Sequence, residues 1–422
     1  MVKALQDPIL EDGIPFTAYF NGRLLSGEDL ARDQQGNREA RRRIGQAVGE
    51  GIAFGLEVFE TPGQSTNTTP VVTVRPGVAI NRQGQVLALR SPVDLNLVRA
   101  VPAAAGPTAA MFRICDERRS GVYVVGEGVY VLTMACAEGG QGRAPVSGLG
   151  NTAASCSVRS IVEGVQFRLV QPVVNPFVLA DRAHLRNRVA GVALGVADRQ
   201  ATYVNPMGPT PEAYGLVDSL RAAGAITDCD VPLGLLHWTA SEGITFVDMW
   251  SVRRRPVRRG ADARWPLLFG DRVSSEAEAL FLQFQEQIDD IAGSGEDASA
   301  IVATDRFDFL PALGMLPLQL GTRPGFDPLR FLGADLMPRD VAYTDGALLR
   351  VLLHESFAHD PIDLSQRTRV QLYFVFDNVQ AASAGQAVTP VVVFASRTLP
   401  YRGVARYGFA RWEQSRFTSR VI

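Results

Sequence analysis

The hydrophobic and polar positions near the N-terminus predict a long helix before any strand. Ser26 is a suitable N-cap, and Glu28 and Asp29 place acidic residues in the first turn. The polar stretch that follows, through Gly49, contains no proline. A helix is therefore expected over this whole stretch.

The least polar positions of this helix recur every seven residues and trace a thin seam: Leu30, Asn37 and Ile44. Polar residues and glycines dilute the seam, so it cannot hold a monomeric core alone. We expect the helix either to lie on the sheet that follows or to meet copies of itself. The three seam residues are therefore candidate interface positions.

From residue 51 the pattern changes to a period of two, which is typical of strands. Strands are predicted at residues 52–58, 71–80, 86–89, 121–136 and 158–170. A turn with Gly84 joins the second and third of these into a predicted hairpin. The glycine-rich tract at 138–151 is expected to separate the last two. Residues 1–172 are therefore predicted to form a β-rich module with one helix at its entrance.

Residues 173–272 are predicted to form a mixed middle domain, with helices at 177–194 and 212–223 and a β-hairpin at 231–239 and 244–252. An arginine cluster follows the hairpin: Arg253, Arg254, Arg255, Arg258, Arg259 and Arg264. No aromatic residues interleave with it, so a solvated loop or a rim facing a partner fits better than nucleic-acid binding. Four of these arginines are candidate interface residues: Arg254, Arg255, Arg258 and Arg259.

Residues 273–422 are predicted to form a C-terminal α+β domain. Ser275 with Glu278 matches a capping box that opens a helix to residue 292. One apolar stripe on this helix should face a core or another helix: Ala277, Phe281, Phe284, Ile288 and Ile291. A last helix at 344–357 and strands at 369–376 and 388–396 follow. The predicted fold class is α+β and β-dominated, with several small β-rich modules joined by loops and a few helices.

Composition and charge exclude several classes of protein. The chain has 422 residues, 46% hydrophobic and 20% charged, which excludes global disorder. A formal net charge of −2 provides no basic field for nucleic acid or an anionic membrane. Its apolar runs are too short to cross a bilayer, and acidic residues occupy the place of a secretory hydrophobic region. We expect the protein to be made and kept in the cytoplasm, or released only by lysis.

The spacing of cysteines and histidines argues against a metal site. The four cysteines form no CxxC pair: Cys115, Cys136, Cys156 and Cys229. Free, mostly buried thiols are expected, and a bridge between Cys136 and Cys156 is the alternative. His354 and His359 look like a zincin motif but are five residues apart instead of four. Their rings would diverge by roughly 140° on a continuous helix, which one zinc ion does not tolerate.

Sequence motifs of common enzyme classes are missing. The chain contains no GxSxG nucleophile elbow, no GxxxxGK[ST] phosphate loop and no GxGxxG between a strand and a helix. His237 lies in a predicted strand and is expected to be packed. Acidic pairs such as Asp289 with Asp290 leave glycosidase chemistry open, because its two carboxylates need no local motif. We predict no catalytic residues, no cofactor and no metal.

The sequence FNGRLLSGEDL at residues 20–30 precedes the polar helix, and GLEV at 55–58 and VTVRPGVAINRQG at 72–84 follow it. GRAPVS at 142–147 and VEGVQFRL at 162–169 extend the pattern. These stretches resemble a family of baseplate and tail-fibre-associated proteins of contractile-tailed phages and phage tail-like contractile injection systems. The motif around the helix covers less than a quarter of the chain.

The resemblance implies a structural, non-enzymatic component of the baseplate, or of a fibre or spike attached to it. The implied partners are other baseplate or tail proteins and further copies of this chain in a symmetric particle assembled in the bacterial cytoplasm. A receptor- or glycan-binding module of the same particle is the alternative, suggested by three tryptophans beside loops: Trp250, Trp265 and Trp412. A hydrolase is a less favoured third possibility.

Overall fold

The computed structural model describes residues 10, 13–98, 126–145, 156–197, 214–257, 271–336, 341–344, 346–366, 369–375, 391–400, 405–408 and 413–417. Within these ranges several small, mostly antiparallel sheets combine with a few helices. This arrangement confirms the predicted α+β, β-rich fold class.

The first helix, α1 (Gly27–Val48), has the predicted start. The hydroxyl of Ser26 accepts a hydrogen bond from the backbone N–H of Asp29, and the Asp29 carboxylate accepts one from the backbone N–H of Ser26. This reciprocal pair satisfies two backbone donors that the first helical turn leaves open. The helix ends at Gly49, whose φ of 106° is readily adopted only by glycine.

Six short strands follow α1: β1 (Gly51–Gly55), β2 (Val58–Glu60), β3 (Val71–Val74), β4 (Gly77–Ile80), β5 (Val86–Leu89) and β6 (Val93–Asn96). They form two antiparallel sheets with the orders β1-β4-β5 and β2-β3-β6. Two predicted strands are each split, at Leu56 and around Pro76, because the chain passes from one sheet to the other there. Leu56 turns the chain with φ of 60°, and it is fully buried.

A larger antiparallel sheet of order β10-β9-β7-β8 forms the centre of the molecule. Its strands are β7 (Gly128–Pro145), β8 (Cys156–Val170), β9 (Asp230–Thr239) and β10 (Gly243–Asp248). It draws on strands from both sides of residue 172. The predicted loop from residue 138 is wrong at its start, because β7 continues through the glycines to Pro145 and pairs with β8 all the way.

Both faces of the central sheet are covered. On one face Leu132 and Met134 pack with Val58 and Val72 of the two N-terminal sheets. On the other face Val131 contacts the hydrophobic sides of three helices: α2 (Pro176–Leu179), α3 (Leu185–Leu194) and α4 (Gly215–Ala222). The predicted helix at 177–194 is thus two helices. The strands of the central sheet thus contribute to a hydrophobic core on each face.

Three further helices lie in the C-terminal part: α5 (Asp271–Gly293), α6 (Pro328–Leu336) and α7 (Gly346–Ser356). Its main sheet has the order β12-β18-β17-β15, formed by β12 (Leu313–Pro317), β15 (Val341–Thr344), β17 (Val370–Val375) and β18 (Val391–Ser396). Strand β15 runs parallel to β17, and the other pairs are antiparallel. Three two-stranded sheets complete it: β11 (Phe309–Leu310) with β16 (Ile362–Asp363), β13 (Gln319–Leu320) with β14 (Arg323–Pro324), and β19 (Ala405–Gly408) with β20 (Glu413–Phe417).

Helix α5 covers the outer edge of this sheet. The side chain of Gln285 accepts a hydrogen bond from the backbone N–H of Met315 at 2.8 Å and donates one to its carbonyl at 3.1 Å. The predicted apolar stripe is buried at every position: Ala277, Phe281, Phe284, Ile288 and Ile291. The predicted cap is wrong, because Ser275 lies inside the helix and donates its hydroxyl hydrogen to the Arg272 carbonyl.

Candidate interaction surfaces

The predicted seam of α1 faces solvent. Leu30 is 51% exposed and Ile44 is 66% exposed, and Asn37 between them is also exposed. Val48, on the same face one turn beyond Ile44, is 48% exposed. Four neighbouring positions on this face, three of them apolar, therefore lie outside every hydrophobic core of the described chain.

Helix α1 does lie on the sheets that follow it, but through glycine and polar residues, which contact the β4–β5 turn and strands β7 and β8. A Cβ atom on Gly45 would come within 2.1 Å of the carbonyl oxygen of Gly84, so the helix and the β4–β5 turn meet backbone to backbone. The Arg38 guanidinium lies 3.3 Å from a carboxylate oxygen of Glu138 and 3.4 Å from one of Glu163. Docking on the sheet is therefore compatible with a free seam, and pairing of the seam with copies stays a prediction.

Strands β7 and β8 extend beyond the central sheet as a two-stranded arm, defined as residues 139–145 and 156–162. Strand β9 pairs with β7 only as far as Ala135, and beyond that point β8 is the only described strand that pairs with β7. On the arm Ile161 is 53% exposed and Val162 is 49% exposed. Their cross-strand partners are Gly140 and Gly139, which have no side chains to cover them. The arm therefore presents apolar side chains and strand edges that no further described strand covers.

The arginine cluster does not form one solvated rim. Arg253 is buried, and its guanidinium donates to the carbonyls of Leu56 and Gly55 and lies 5.4 Å from the Trp250 ring. Burial lowers its pKa. The expectation of a solvated side chain is wrong for Arg253, because its guanidinium bonds to the backbone at the point where the chain passes from one N-terminal sheet to the other.

The candidate arginines Arg254 and Arg255 have different environments. Arg254 is half-buried and donates to the carbonyls of Trp250 and Ser251, at 2.9 and 3.2 Å, so it holds a turn of its own chain. Arg255 is exposed and pairs with Glu278 of α5 at 2.8 Å. Arg258 and Arg259 lie outside the described residues. A partner-facing role for this segment stays a prediction, and Arg255 is its exposed member.

A buried charge cluster joins the central part of the molecule to α5. Arg186 of α3 lies 3.5 Å from Asp248 at the end of β10 and 3.5 Å from Glu286, and it donates to Asp290. Burial raises the pKa of Glu286 to about 7, while the nearby Arg186 guanidinium acts in the opposite direction. The residues lie up to 104 positions apart in sequence. No local motif could have revealed this cluster.

The histidines and cysteines have packing roles where the structure describes them. His237 is buried in β9 as predicted, with its ring stacked 5.8 Å from Phe246 and its Nδ1 2.7 Å from the Thr245 hydroxyl. Helix α7 ends at Ser356, so His354 and His359 do not share a continuous helix. Among the described residues no group of three or more potential ligands is placed to hold a metal ion.

Cysteine pairing differs from expectation. Cys229 is disulfide-bonded. The prediction that the four cysteines are free thiols is therefore wrong. Its partner lies outside the residues whose side chains are described. The alternative bridge is also wrong, because Cys136 pairs with Val165 in the ladder and Cys156 with Pro145. The nine residue steps from Cys136 to Pro145 separate the two cysteines by about 30 Å along the strand.

Comparison with known proteins adds no assignment: no family model matches the chain, and no curated protein matches it significantly. In the described part of the chain no helix combines the length and the apolar character that a membrane span requires. The interaction surfaces therefore have to be interpreted from their own geometry.

Proposed function

We propose that the protein is a structural, non-enzymatic component of a phage tail or phage tail-like contractile injection machine, in the baseplate or in a fibre or spike attached to it. One observation is the main support for this proposal. The seam of α1 and the arm both have apolar side chains that lie outside every hydrophobic core of the described chain. The choice of particle rests on the sequence resemblance at residues 20–30, 55–58 and 72–84.

The arm supports a role in assembly. Extended hairpins with open edges pair with other chains unless something covers them. Resembling stretches at 142–147 and 162–169 fall on or beside this arm. The partners proposed are other baseplate or tail proteins and further copies of this chain.

The glycan-binding alternative finds little support in the described tryptophan. Trp250 is half-buried, and the Arg253 guanidinium lies over its ring, so that face is not open to stack on a sugar. Trp265 and Trp412 lie outside the described residues. The structural role is therefore preferred.

Localisation on purified particles tests the proposal. In producing cells, a tagged copy of the chain should sediment with intact tail-like particles and be labelled by gold-coupled antibody at one end of them. An unrelated cytoplasmic protein with the same tag is the control. Recovery of the tagged chain only in the soluble fraction, as for the control, would contradict the proposal.

Substitution on the arm tests the observation that carries the proposal. Ile161→Asp with Val162→Asp should abolish sedimentation with particles, because charges would then occupy the contact surface, and circular dichroism should stay unchanged. The matched control is Val173→Asp, at a fully exposed valine beyond the other end of β8. If the arm variant is incorporated as well as the control, the arm is not a contact surface.

A further inference from the structure

Helix α1 has an uneven charge distribution along its length. The half before Asn37 carries Glu28, Asp29 and Asp33 against the single basic residue Arg32. The half after Asn37 carries four arginines against Glu39: Arg38, Arg41, Arg42 and Arg43. One end of the helix is therefore acidic and the other basic, with the exposed seam running across both.

The seam is also symmetric about Asn37. Leu30 lies seven residues before it and Ile44 seven residues after it, and all three share one exposed face. Asp33 and Arg41 are likewise each four residues from Asn37, on either side of the seam. Any second α1 that crosses in the opposite direction at Asn37 places Leu30 at the level of Ile44, and Asp33 at the level of Arg41.

We propose that two copies of this chain pair through α1 in antiparallel orientation, with a two-fold axis at Asn37. This pairing buries Leu30 of each copy against Ile44 of the other and sets each acidic half beside a basic half. Asn37 meets its own copy at the axis, where a polar residue in an apolar seam specifies the register. The inference deepens the proposed function, on which it rests, by naming a second copy as the partner.

Charge selects the orientation. A parallel pair would set the acidic halves side by side and the basic halves side by side, and like charges at such distances repel. An antiparallel pair brings opposite charges together at both ends. The orientation therefore follows from charge complementarity, whereas the apolar seam alone would allow either direction.

The size of the seam sets the expected strength. Three apolar side chains on a helix of 22 residues bury far less than a permanent dimer interface requires. The pair should form weakly in solution and become stable when a particle holds many copies in place. A covalent trap is therefore the suitable measurement.

Disulfide trapping at three positions tests the register and orientation of the pair. The full chain is used under mild oxidation. The unsubstituted protein gives the background of dimer formed by the native cysteines. Asn37→Cys should give a covalent dimer well above this background. Leu30→Cys alone should not, because the two copies of residue 30 would lie roughly 21 Å apart along the helix axis. Combining Leu30→Cys with Ile44→Cys should restore the dimer.

Two results would overturn the pairing. A dimer from Leu30→Cys alone as abundant as that from Asn37→Cys would indicate a parallel pair. Background-level dimer from both Asn37→Cys and the double variant would exclude self-pairing through this face. Gold labelling of particles together with absent cross-links rejects the inference and keeps the proposed function, whereas cross-links without particle association reject the proposed function alone.

Discussion

Helices α1 and α5 are nearly equal in length, 22 and 23 residues, and each carries a stripe with heptad-like spacing. The stripe of α5 is buried from Ala277 to Ile291, while that of α1 faces solvent from Leu30 to Ile44. Equal periodicity therefore does not imply equal burial.

The difference arises from the size of the residues in the stripe and from the way each helix meets its neighbours. In α5, the Phe284 ring packs against the rings of Phe307, Phe331 and Phe394, with 5.4 to 6.5 Å between ring centroids. Such aromatic packing buries a large apolar area. In α1, contact with the sheet is made by Gly45, which brings the backbone close and leaves larger side chains on other faces. A stripe interrupted by Asn37 has too little apolar area to compete for the core.

The largest expected effect comes from emptying the core of α5. Phe284→Ala should lower the free energy of unfolding by about 3 to 5 kcal/mol, because it removes a side chain only 1% exposed among three other rings. Chemical denaturation followed by circular dichroism measures this. Ile44→Ala on α1 is the matched control and should change the free energy by less than about 0.5 kcal/mol. Equal losses from the two variants would erase the distinction between the helices.

A smaller effect should come from the buried acid of α5. Glu286 has a pKa raised to about 7 from a usual 4.5, so the folded protein binds more protons than the unfolded chain between these values. The free energy of unfolding should therefore fall as pH rises from about 4.5 through 7, by roughly 1 to 2 kcal/mol given the partial exposure of the side chain.

Denaturation at several pH values measures this dependence in Glu286→Gln. The variant should lose most of that fall and be more stable than the unsubstituted protein at pH 8. Glu278→Gln, at a half-buried position of the same helix that pairs with Arg255, is the control and should keep the original profile. If Glu286→Gln also keeps it, the acid does not titrate in the folded protein near neutral pH.

A substitution in the α1 seam should have the smallest effect on stability. The same substitution should abolish assembly. Ile44→Asp should leave circular dichroism and the free energy of unfolding nearly unchanged, because the side chain is 66% exposed. It should block incorporation into particles, because the seam could no longer be buried. Val192→Asp, at an exposed valine of α3, is the control. Unfolding of the Ile44 variant would place the seam in the internal core.

Strong local signals predicted the long helices well and the glycine-rich strand badly. Ser26 specified the start of α1 because its cap needs only neighbouring residues. The same reasoning failed at Ser275, where α5 already begins at Asp271. The predicted strand ends at Cys136 because glycines usually interrupt strands, and only pairing with β8 shows that these do not.

The candidate surfaces could likewise be predicted from the sequence only in part. Spacing alone identified Leu30, Asn37 and Ile44 as one face, since the helical period fixes which residues are neighbours. Exposure of that face depends on how α1 meets Gly84, which no local pattern encodes. Arg253 was misplaced for the same reason, because its acceptors, the carbonyls of Gly55 and Leu56, lie nearly 200 residues away.

The continuity of β7 has a mechanical consequence. The strand runs from the arm into the centre of the molecule, where β8 and β9 flank it. Ladder hydrogen bonds lie perpendicular to the strands, so tension along the arm loads the ladders in shear. Many bonds must then yield together, whereas a sideways pull would open the hairpin one pair at a time. A lengthwise pull on the arm is therefore transmitted to a sheet that packs against a hydrophobic core on each face.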